Sequence, residues 1–421
     1  MQQILRKMKK LSQFVSEHIS DDPIRLLLDR KKWPEIDMDT AVECIESRRK
    51  LKGKVQEWYD NPDLIFPRKL SAEQCSSSAT GLYKATLAEH ITTISQTSPF
   101  RIADLTGGLG VDSWFFSQKA EKVLYNEMQK PLCEAAEYNF NVLEAGNIIV
   151  SNHAVASDGT GISPAALLTG FAPDIVYMDP ARRGEGGKKV FLIEECTPDV
   201  LTLKDEIFGI CRHMLIKLSP MADITMVCER LGSCCREVHV VAAGGECKEL
   251  LIWMDREWQA EYEIAAVELH NDGTVSSLRF KTSEEKASSS RQCLLCIKDT
   301  FLFEPGKALM KAGAFNMISH RFEIDKLGQS THYYTTDDPE KAHELTKHGK
   351  VFRIKDCLPL DKRSIKAFGK EYRQADVTAR NIPMTTETLR KKLGCGDGGT
   401  VHIFGLKSDK EGGLLIAAER I

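Results

Sequence analysis

The sequence predicts an α/β protein: a Rossmann-like, mostly parallel sheet with an antiparallel last strand, preceded by a helical region and followed by two small α+β units. Three observations predict it. Between about residues 96 and 256, short apolar runs alternate with helix-length stretches, the pattern of a parallel sheet covered on both faces. The final two runs, EVHVVAA and ELLIWMD, are joined by a link too short for a crossover, so they must be antiparallel neighbours. Outside this stretch the period changes, to helical spacing before it and short strands after it.

Residues 1–95 read as helices. LRKMKKLSQFVSEHI and AVECIESRRKLKGKVQEWYD place apolar residues at i, i+3 and i+4, and Pro23, Pro34 and Pro62 punctuate the segment. In 96–256 the expected strands are FRIADL, KVLYNE, NIIVSN, DIVYMD, HMLIKLS and the closing pair. The expected helices are VDSWFFSQKA, PLCEAAEYNFNVLEAG, a helix after DIVYMD running to about residue 211, and ADITMVCERLG. A small ferredoxin-like α+β unit is expected over 257–339, with strands EIAAVELH, SSLRF and CLLCIKDTFLF and a single helix, PGKALMKAGAFNMISHRF. Within it KTSEEKASSSRQ reads as a flexible loop. The last unit, 340–421, closes with TVHIFGL and GGLLIAAERI, which pair as strands.

The composition sets bounds on function. The 421 residues are 42% hydrophobic and 28% charged with a net charge of -3, so a nucleic-acid partner must be held by local patches and not by a global basic field. No run of about 18 uncharged apolar residues predicts a membrane span, and the basic N-terminus lacks the apolar core of a signal peptide. Thirteen cysteines scattered through apolar segments fit reduced thiols and a cytoplasmic protein. The one CxxC, Cys293 and Cys296, lies inside the apolar run CLLCI and reads as buried strand cysteines, so no metal is expected.

The chemistry is carried first by ADLTGGLGVDSW, where the first strand meets the first helix. Gly107, Gly108 and Gly110 let backbone approach a ligand at a helix N-terminus. A P-loop would need a lysine after the glycines, and a pyrophosphate would sit poorly beside Asp104 and Asp112. S-adenosylmethionine, cationic at sulfur and at its amino group, is better served: Asp104 suits the methionine end and Thr106 lies in the same loop. Glu127, closing the second strand, suits the ribose diol. Met128 suits the adenine face, and Asn152 or His153 after the third strand the adenine edge. A Rossmann-like domain with no bound adenosine is the plainer alternative.

The loop DLTGGLGVD resembles the D-x-x-x-G-x-G loop of class I methyltransferases, and is similar to the DATAGLG-type loops of bacterial ribosomal RNA guanine methyltransferases. Together with EQCSSSATGLYKA, DPARR, FEPGKALMKAGAF and TARNIPMTTETLRKKLG, it resembles a bacterial family of class I methyltransferases with a THUMP-like C-terminal domain. The resemblance implies an S-adenosylmethionine site and an RNA-directed C-terminal region. It also implies that a helix just before the loop touches the cofactor's carboxylate, with Lys84 as the candidate.

DPARR ends the fourth strand, across the switch point where doubly wound sheets bind substrate. Asp179 is placed to accept hydrogen bonds from an exocyclic amine, Pro180 stiffens the turn, and Arg182 and Arg183 suit phosphates or a stacked base. A surface ion pair with Glu185 or Glu194 is the plainer use of either arginine. Ala181 and Ser219 stand where cytosine-C5 and uracil-C5 enzymes carry a cysteine, so covalent C5 chemistry is not expected.

Residues 351–394 carry eleven Lys/Arg against five Asp/Glu, a local basic excess. Arg363, Lys366, Arg373, Arg380, Arg390, Lys391 and Lys392 are the expected RNA contacts, with Phe368 and Tyr372 for stacking and RRKLKGK (48–54) as an extension. The expected function is direct, non-covalent methyl transfer to RNA. The alternatives are a methyltransferase of a protein or small molecule, or a non-catalytic RNA-binding protein on this fold.

Overall fold

The computed structural model describes residues 2–182, 193–293 and 297–421. The chain forms two compact units, Met1–Val238 with Glu249–Glu261, and His239–Lys248 with Tyr262–Ile421.

The first unit opens with six helices: α1 (Gln2–Glu17), α2 (Pro23–Leu28), α3 (Met38–Leu51), α4 (Gln56–Asp60), α5 (Lys69–Gln74) and α6 (Ser78–Ile94). Asp22, Asp37 and Ser77 start α2, α3 and α6 by accepting backbone N–H bonds, which is why these segments begin where they do. The helical region shares a core with the sheet domain. Leu11, Phe14, Val42 and Ile45 cluster with Tyr138, and Asn139 exchanges two hydrogen bonds with the backbone of Ile65, at 2.9 and 2.7 Å. The basic run 48–54 is partly absorbed here, while Lys50 and Lys52 stay exposed. Arg48 is buried and donates to the carbonyls of Tyr59, Asn61, Pro62 and Leu64, Arg49 donates to Ile19 and Asp21, and Lys50 pairs with Glu73.

The sheet elements follow in order: β1 (Arg101–Asp104), α7 (Val111–Ser117), β2 (Lys122–Asn126), α8 (Lys130–Val142), β3 (Ile148–Ser151), α9 (Pro164–Leu168), β4 (Ile175–Met178), the short pair β5 (Ala181–Arg182) and β6 (Cys196–Thr197), α10 (Val200–Phe208), β7 (His213–Leu218), α11 (Ile224–Leu231), β8 (Cys235–Ala243) and β9 (Glu246–Asp255). Within a nine-stranded sheet these strands lie in the order β3-β2-β1-β4-β7-β9-β8. The strands β3, β2, β1, β4 and β7 run parallel, and β9 is antiparallel to β7. The expected long helix after DIVYMD starts only at Val200, because Asp199 caps it by accepting from Leu201 and Thr202.

The second unit contains an antiparallel pair, β10 (Glu263–Leu269) and β11 (Val275–Lys281). The segment read as a loop holds α12 (Thr282–Ala287), where Glu284 reaches back to the Lys281 N–H. Then come β12 (Arg291–Gln292), β13 (Phe301–Pro305), α13 (Lys307–Ala312), α14 (Phe315–Phe322), β14 (Asp325–Lys326), β15 (Tyr334–Thr336), α15 (Pro339–Leu345), β16 (Gly349–Pro359), α16 (Lys362–Glu371), β17 (Asp376–Arg380), α17 (Thr386–Leu393), β18 (Val401–Ser408) and β19 (Gly412–Arg420). The single helix expected over 305–322 is two, broken at Gly313 with φ +76°. One sheet of order β12-β14-β15-β13-β16-β19-β18-β17 runs through both expected C-terminal units. Its core is Leu302, Phe352, Ile354, Phe404 and Ile416. Cys293 is buried, and Cys296 lies outside the described residues. Among the described residues no helix is long and apolar enough to cross a membrane, and no group of three or more His, Cys, Asp or Glu is arranged to hold a metal.

His213, at the start of β7, is buried and neutral. Trp253 donates its indole N–H to Nδ1 at 3.3 Å, so Nε2 carries the proton toward Ser95 Oγ at 2.7 Å. Burial lowers it from 6.5 to about 4, against the pull of Asp255. A base whose folded value is depressed leaves the unfolded state binding more protons, so stability falls as pH drops from 6.5 toward 4. All five tryptophans belong to the first unit, so urea unfolding followed by their fluorescence reports it alone. Relative to the wild type, His213→Gln is expected to gain stability as pH falls from 6.5 to 5, with Asp104, raised to about 7, shifting both proteins alike in the direction opposite to the His213 loss. Equal slopes for the two proteins would show that His213 contributes nothing to the pH dependence.

Candidate active site

The C-terminal ends of β1, β2, β3 and β4 carry most of the residues singled out from sequence in the first unit. Gly107 packs directly on the β2 side chain Tyr125: a Cβ there would lie 2.1 Å from its ring. Gly110 takes φ +88°, open to glycine at little cost, and a Cβ would meet Phe140 at 2.6 Å. Tyr125 donates its hydroxyl to the Gly108 carbonyl at 2.6 Å, fixing the loop from below.

Glu127 follows β2 and its carboxylate is set in place by main chain. Oε2 accepts from Gly108 N–H at 2.9 Å and Oε1 from Gln129 N–H at 2.7 Å. Each oxygen keeps a second lone pair, so a diol has two acceptors of fixed spacing beside the glycine loop. Met128 next to it is 59% exposed, an apolar face at the same edge. Asn152, exposed, donates its amide N–H groups to the carbonyls of Glu127 and Met128, at 2.6 and 3.2 Å, which fixes it at this edge. His153 is exposed, with Nδ1 2.9 Å from Ser151 Oγ. Sequence reasoning missed Asn126, which is buried and ties three strand ends together. Its amide donates to Leu105 and His153 carbonyls, and its Oδ1 accepts from His153 N–H.

Asp104 is buried under the loop, with both carboxylate oxygens engaged inside the fold. It accepts from Ser113 Oγ at 2.7 Å and Thr106 N–H at 3.0 Å, and burial pushes its carboxyl up to about 7 against those bonds. Asp112, expected to repel an anion beside the loop, does not act there. Asp112 points inward, accepting from Ser76 Oγ at 3.0 Å and Tyr177 hydroxyl at 2.8 Å. Its charge is matched by Lys84, 3.3 Å away. Lys84 itself, expected against a cofactor carboxylate, is 0% exposed and donates to Glu249 at 2.8 and 3.0 Å and to Ser76 at 2.9 Å. This burial takes Lys84 out of the ligand-facing set.

On the acceptor side, Asp179 continues β4. Its N–H donates to Thr106 Oγ1 at 2.6 Å, which ties the glycine loop to the DPARR turn. Its Oδ2 accepts from Lys217 of β7 at 2.5 Å. Lys217 is a site residue that sequence reasoning passed over, although a lysine inside the apolar run HMLIKLS was signal enough. Pro180 is buried, and the backbone of Arg182 pairs with Cys196. Arg183 lies outside the described residues, and Glu194 is taken by Arg230 at 3.0 Å.

In the second unit, Arg363, Lys366, Arg373, Lys391 and Lys392 are exposed around α16 and α17, which pack through Ile365, Phe368, Leu389 and Leu393. Thr385 caps α17, as expected, and Gly394 closes it in the left-handed region. Arg390 pairs with Asp397, and Arg380 lies 5.8 Å from the centre of the Tyr333 ring, so both are partly engaged within the fold. Phe368 is fully buried and unable to stack on a base, and Tyr372 packs edge-on against it at 5.5 Å.

The Gly107–Tyr125 contact is testable by stability alone. Gly107→Ala should cost about 1–3 kcal/mol by overpacking. Gly107→Ala/Tyr125→Leu should lose less than the sum of the two single changes. Strict additivity would mean that the ring does not dictate glycine here.

The chain matches a ferredoxin-like domain family over residues 301–342 and a THUMP domain-like family over residues 349–420. A comparison with curated proteins gives no match. Among solved structures, a candidate methyltransferase from Porphyromonas gingivalis W83 is 28% identical, with 99% of this chain and 98% of that chain covered at a TM-score of 0.84. A predicted O-methyltransferase from Agrobacterium tumefaciens is 18% identical over 39% of this chain and 78% of its own, at a TM-score of 0.27. A candidate RNA methyltransferase from Pyrococcus horikoshii is 17% identical over 36% and 58%, at 0.22. Similarity at those last two scores carries no weight here. The first match extends over the full architecture, so the chain has the class I methyltransferase fold joined to ferredoxin-like and THUMP-like C-terminal domains.

Proposed function

We propose that the first unit binds S-adenosylmethionine and catalyses direct methyl transfer, and that the acceptor is RNA. The observation that carries the reading is the glycine loop's N–H bond to Glu127, with Asp179 tied to the same loop through Thr106. One strand end thus offers a fixed diol acceptor, and the next offers a carboxylate on the acceptor side. The likeness to the Porphyromonas gingivalis candidate methyltransferase over both full chains supports it.

The residues present suit the cofactor. Glu127 would hold the ribose hydroxyls, Met128 would cover the adenine, and the backbone of Gly107 to Gly110 would line the amino-acid end. When bound, the sulfonium supplies an electrophilic methyl group. Asp179 would accept an N–H of the acceptor and align its lone pair, and most of the acceleration would come from that positioning. After transfer the acceptor's proton leaves through the free oxygen of Asp179 to water. Exposed Lys and Arg of α16 and α17 would grip phosphates. The bacterial family with a THUMP-like C-terminal domain, which the sequence resembles, adds support for an RNA acceptor.

Glu127→Ala is expected to weaken S-adenosylhomocysteine binding about 10–100-fold by calorimetry, the worth of charged hydrogen bonds. Asp179→Ala should leave that affinity within about 2-fold while lowering methyl transfer to bulk RNA about 100-fold. Two variants behaving alike would break the division of roles.

RNA binding is tested with the full chain, because β13 pairs with β16 and removal of the C-terminal segment would cut the sheet. Replacing Lys366, Lys391 and Lys392 by alanine should weaken bulk RNA in filter binding. The slope of log affinity against log salt should fall by about 2. Unchanged affinity and slope would remove RNA from the proposal and favour a protein or small-molecule acceptor.

A further inference from the structure

The parallel register of β4 on β7 pairs Met178 with Ile216, so the next step brings Asp179 beside Lys217 on one face of the sheet. Lys217 pairs across with Leu251 of β9, and Glu249 lies two residues on along that strand, on the same face. Lys217 is thus a charged side chain in the middle of a sheet, 13% exposed, and its ammonium must be matched locally.

The matching is supplied from three elements. Burial by itself would lower Lys217, but Asp179, Glu249 and Asp112 outweigh it and hold the ammonium above its ordinary range. Glu249 and Asp112 share the second lysine, Lys84. Two ammoniums therefore face three carboxylates, and Asp179, 36% exposed, is the carboxylate of the three that reaches solvent. Its Oδ2 is taken by Lys217 and its N–H by Thr106, while Oδ1 has no hydrogen-bond partner among the described residues.

We infer that Lys217 is a positioning residue for the acceptor: it holds Asp179 by Oδ2, so that Oδ1 alone is presented to an N–H of the target, at a fixed angle to the glycine loop. This rests on the reading of Asp179 as the acceptor-side carboxylate. A buried ion pair that served stability alone would gain nothing from ending on a half-exposed carboxylate beside the loop. It would be as well closed by Glu249 and Asp112 within the interior. Lys84 is the internal comparison, since its partners Glu249 and Asp112 are both buried.

The test uses the full-length chain in five forms: wild type, Lys217→Met, Lys217→Arg, Asp179→Ala and Asp179→Ala/Lys217→Met. Transfer of labelled methyl from S-adenosylmethionine to total RNA of a strain lacking this chain gives kcat and KM. Calorimetry with S-adenosylhomocysteine and tryptophan-monitored unfolding separate binding and folding. Lys217→Met should lower kcat about 100-fold with cofactor affinity within about 2-fold, and Lys217→Arg should recover part of it. The double variant should be no slower than Asp179→Ala, because Lys217 acts through that carboxylate.

Full turnover in Lys217→Met, or losses that multiply in the double variant, would overturn the proposal and leave the role of Asp179 standing. Full turnover in Asp179→Ala would remove both readings. A crystal structure of Lys217→Met with S-adenosylhomocysteine gives a readout that needs no acceptor. Asp179 should have turned Oδ2 away from its former partner, and an unmoved carboxylate would refute the proposal. Should Lys217→Met fail to fold, Lys217→Gln, which keeps a donor without the charge, is carried through the same measurements.

Discussion

The first unit is organised around one meeting of buried charge with opposite charge. Lys84, Lys217, Asp112 and Glu249 lie under the C-terminal ends of the strands with Ser76 and Tyr177 as neutral partners. Desolvating any one of them alone would cost several kcal/mol, so removal of one member leaves the others exposed to that cost. Because the members come from α6, α7, β7 and β9, the cluster binds the helical N-terminal region to the sheet. Close backbone packing serves the same end: a Cβ on Gly81 of α6 would sit 2.3 Å from the Phe115 ring of α7.

The parallel sheet explains why the cluster and the candidate site share an edge. In a doubly wound sheet the strands all deliver their C-terminal ends to one crevice, and loops there are free to vary without disturbing the core. The chain uses that edge in two layers. One layer fixes geometry through Asp104, Asn126, Asp112 and Lys84, and the other, the buried Glu127, the exposed Met128 and the part-exposed Asp179, is left with unused lone pairs or exposed surface. Thr106 spans the layers, since its N–H serves Asp104 and its hydroxyl serves the backbone of Asp179. In the second unit the same economy applies to arginine: Arg380 and Arg390 are partly spent inside the fold, and the freer cations are those on the outer faces of α16 and α17.

The elements legible in the sequence were those with strong period and clean boundaries. FRIADL, KVLYNE, DIVYMD and HMLIKLS are strands β1, β2, β4 and β7 within a residue or two, and the antiparallel hairpin followed from its short Gly244–Gly245 link alone. Two misreadings came from local capping that competes with composition. Polar KTSEEKASSSRQ looked disordered, yet the Glu284 bond to Lys281 starts a helix there. The run through Gly313 looked continuous, yet a left-handed residue ends one helix and a second begins two residues on.

By itself the sequence determined which residues crowd the crevice: glycines, an acid closing β2 and an aspartate closing β4 are properties of strand ends, and strand ends are set by local period. It could not determine which acids turn inward. Asp104, Asp112 and Glu127 lie close along the chain, yet among the described residues Glu127 is held by main chain alone, on Gly108 and Gln129, whereas Asp104 and Asp112 accept from buried side-chain hydroxyls. For Asp112 the partners are Ser76, Tyr177 and Lys84, and Lys84 is in turn held by Glu249 from 165 residues away, a set that meets only when the sheet closes. Long-range electrostatic matching has no signature in local spacing, which is why Lys84 read as a ligand contact and Lys217 as a strand residue.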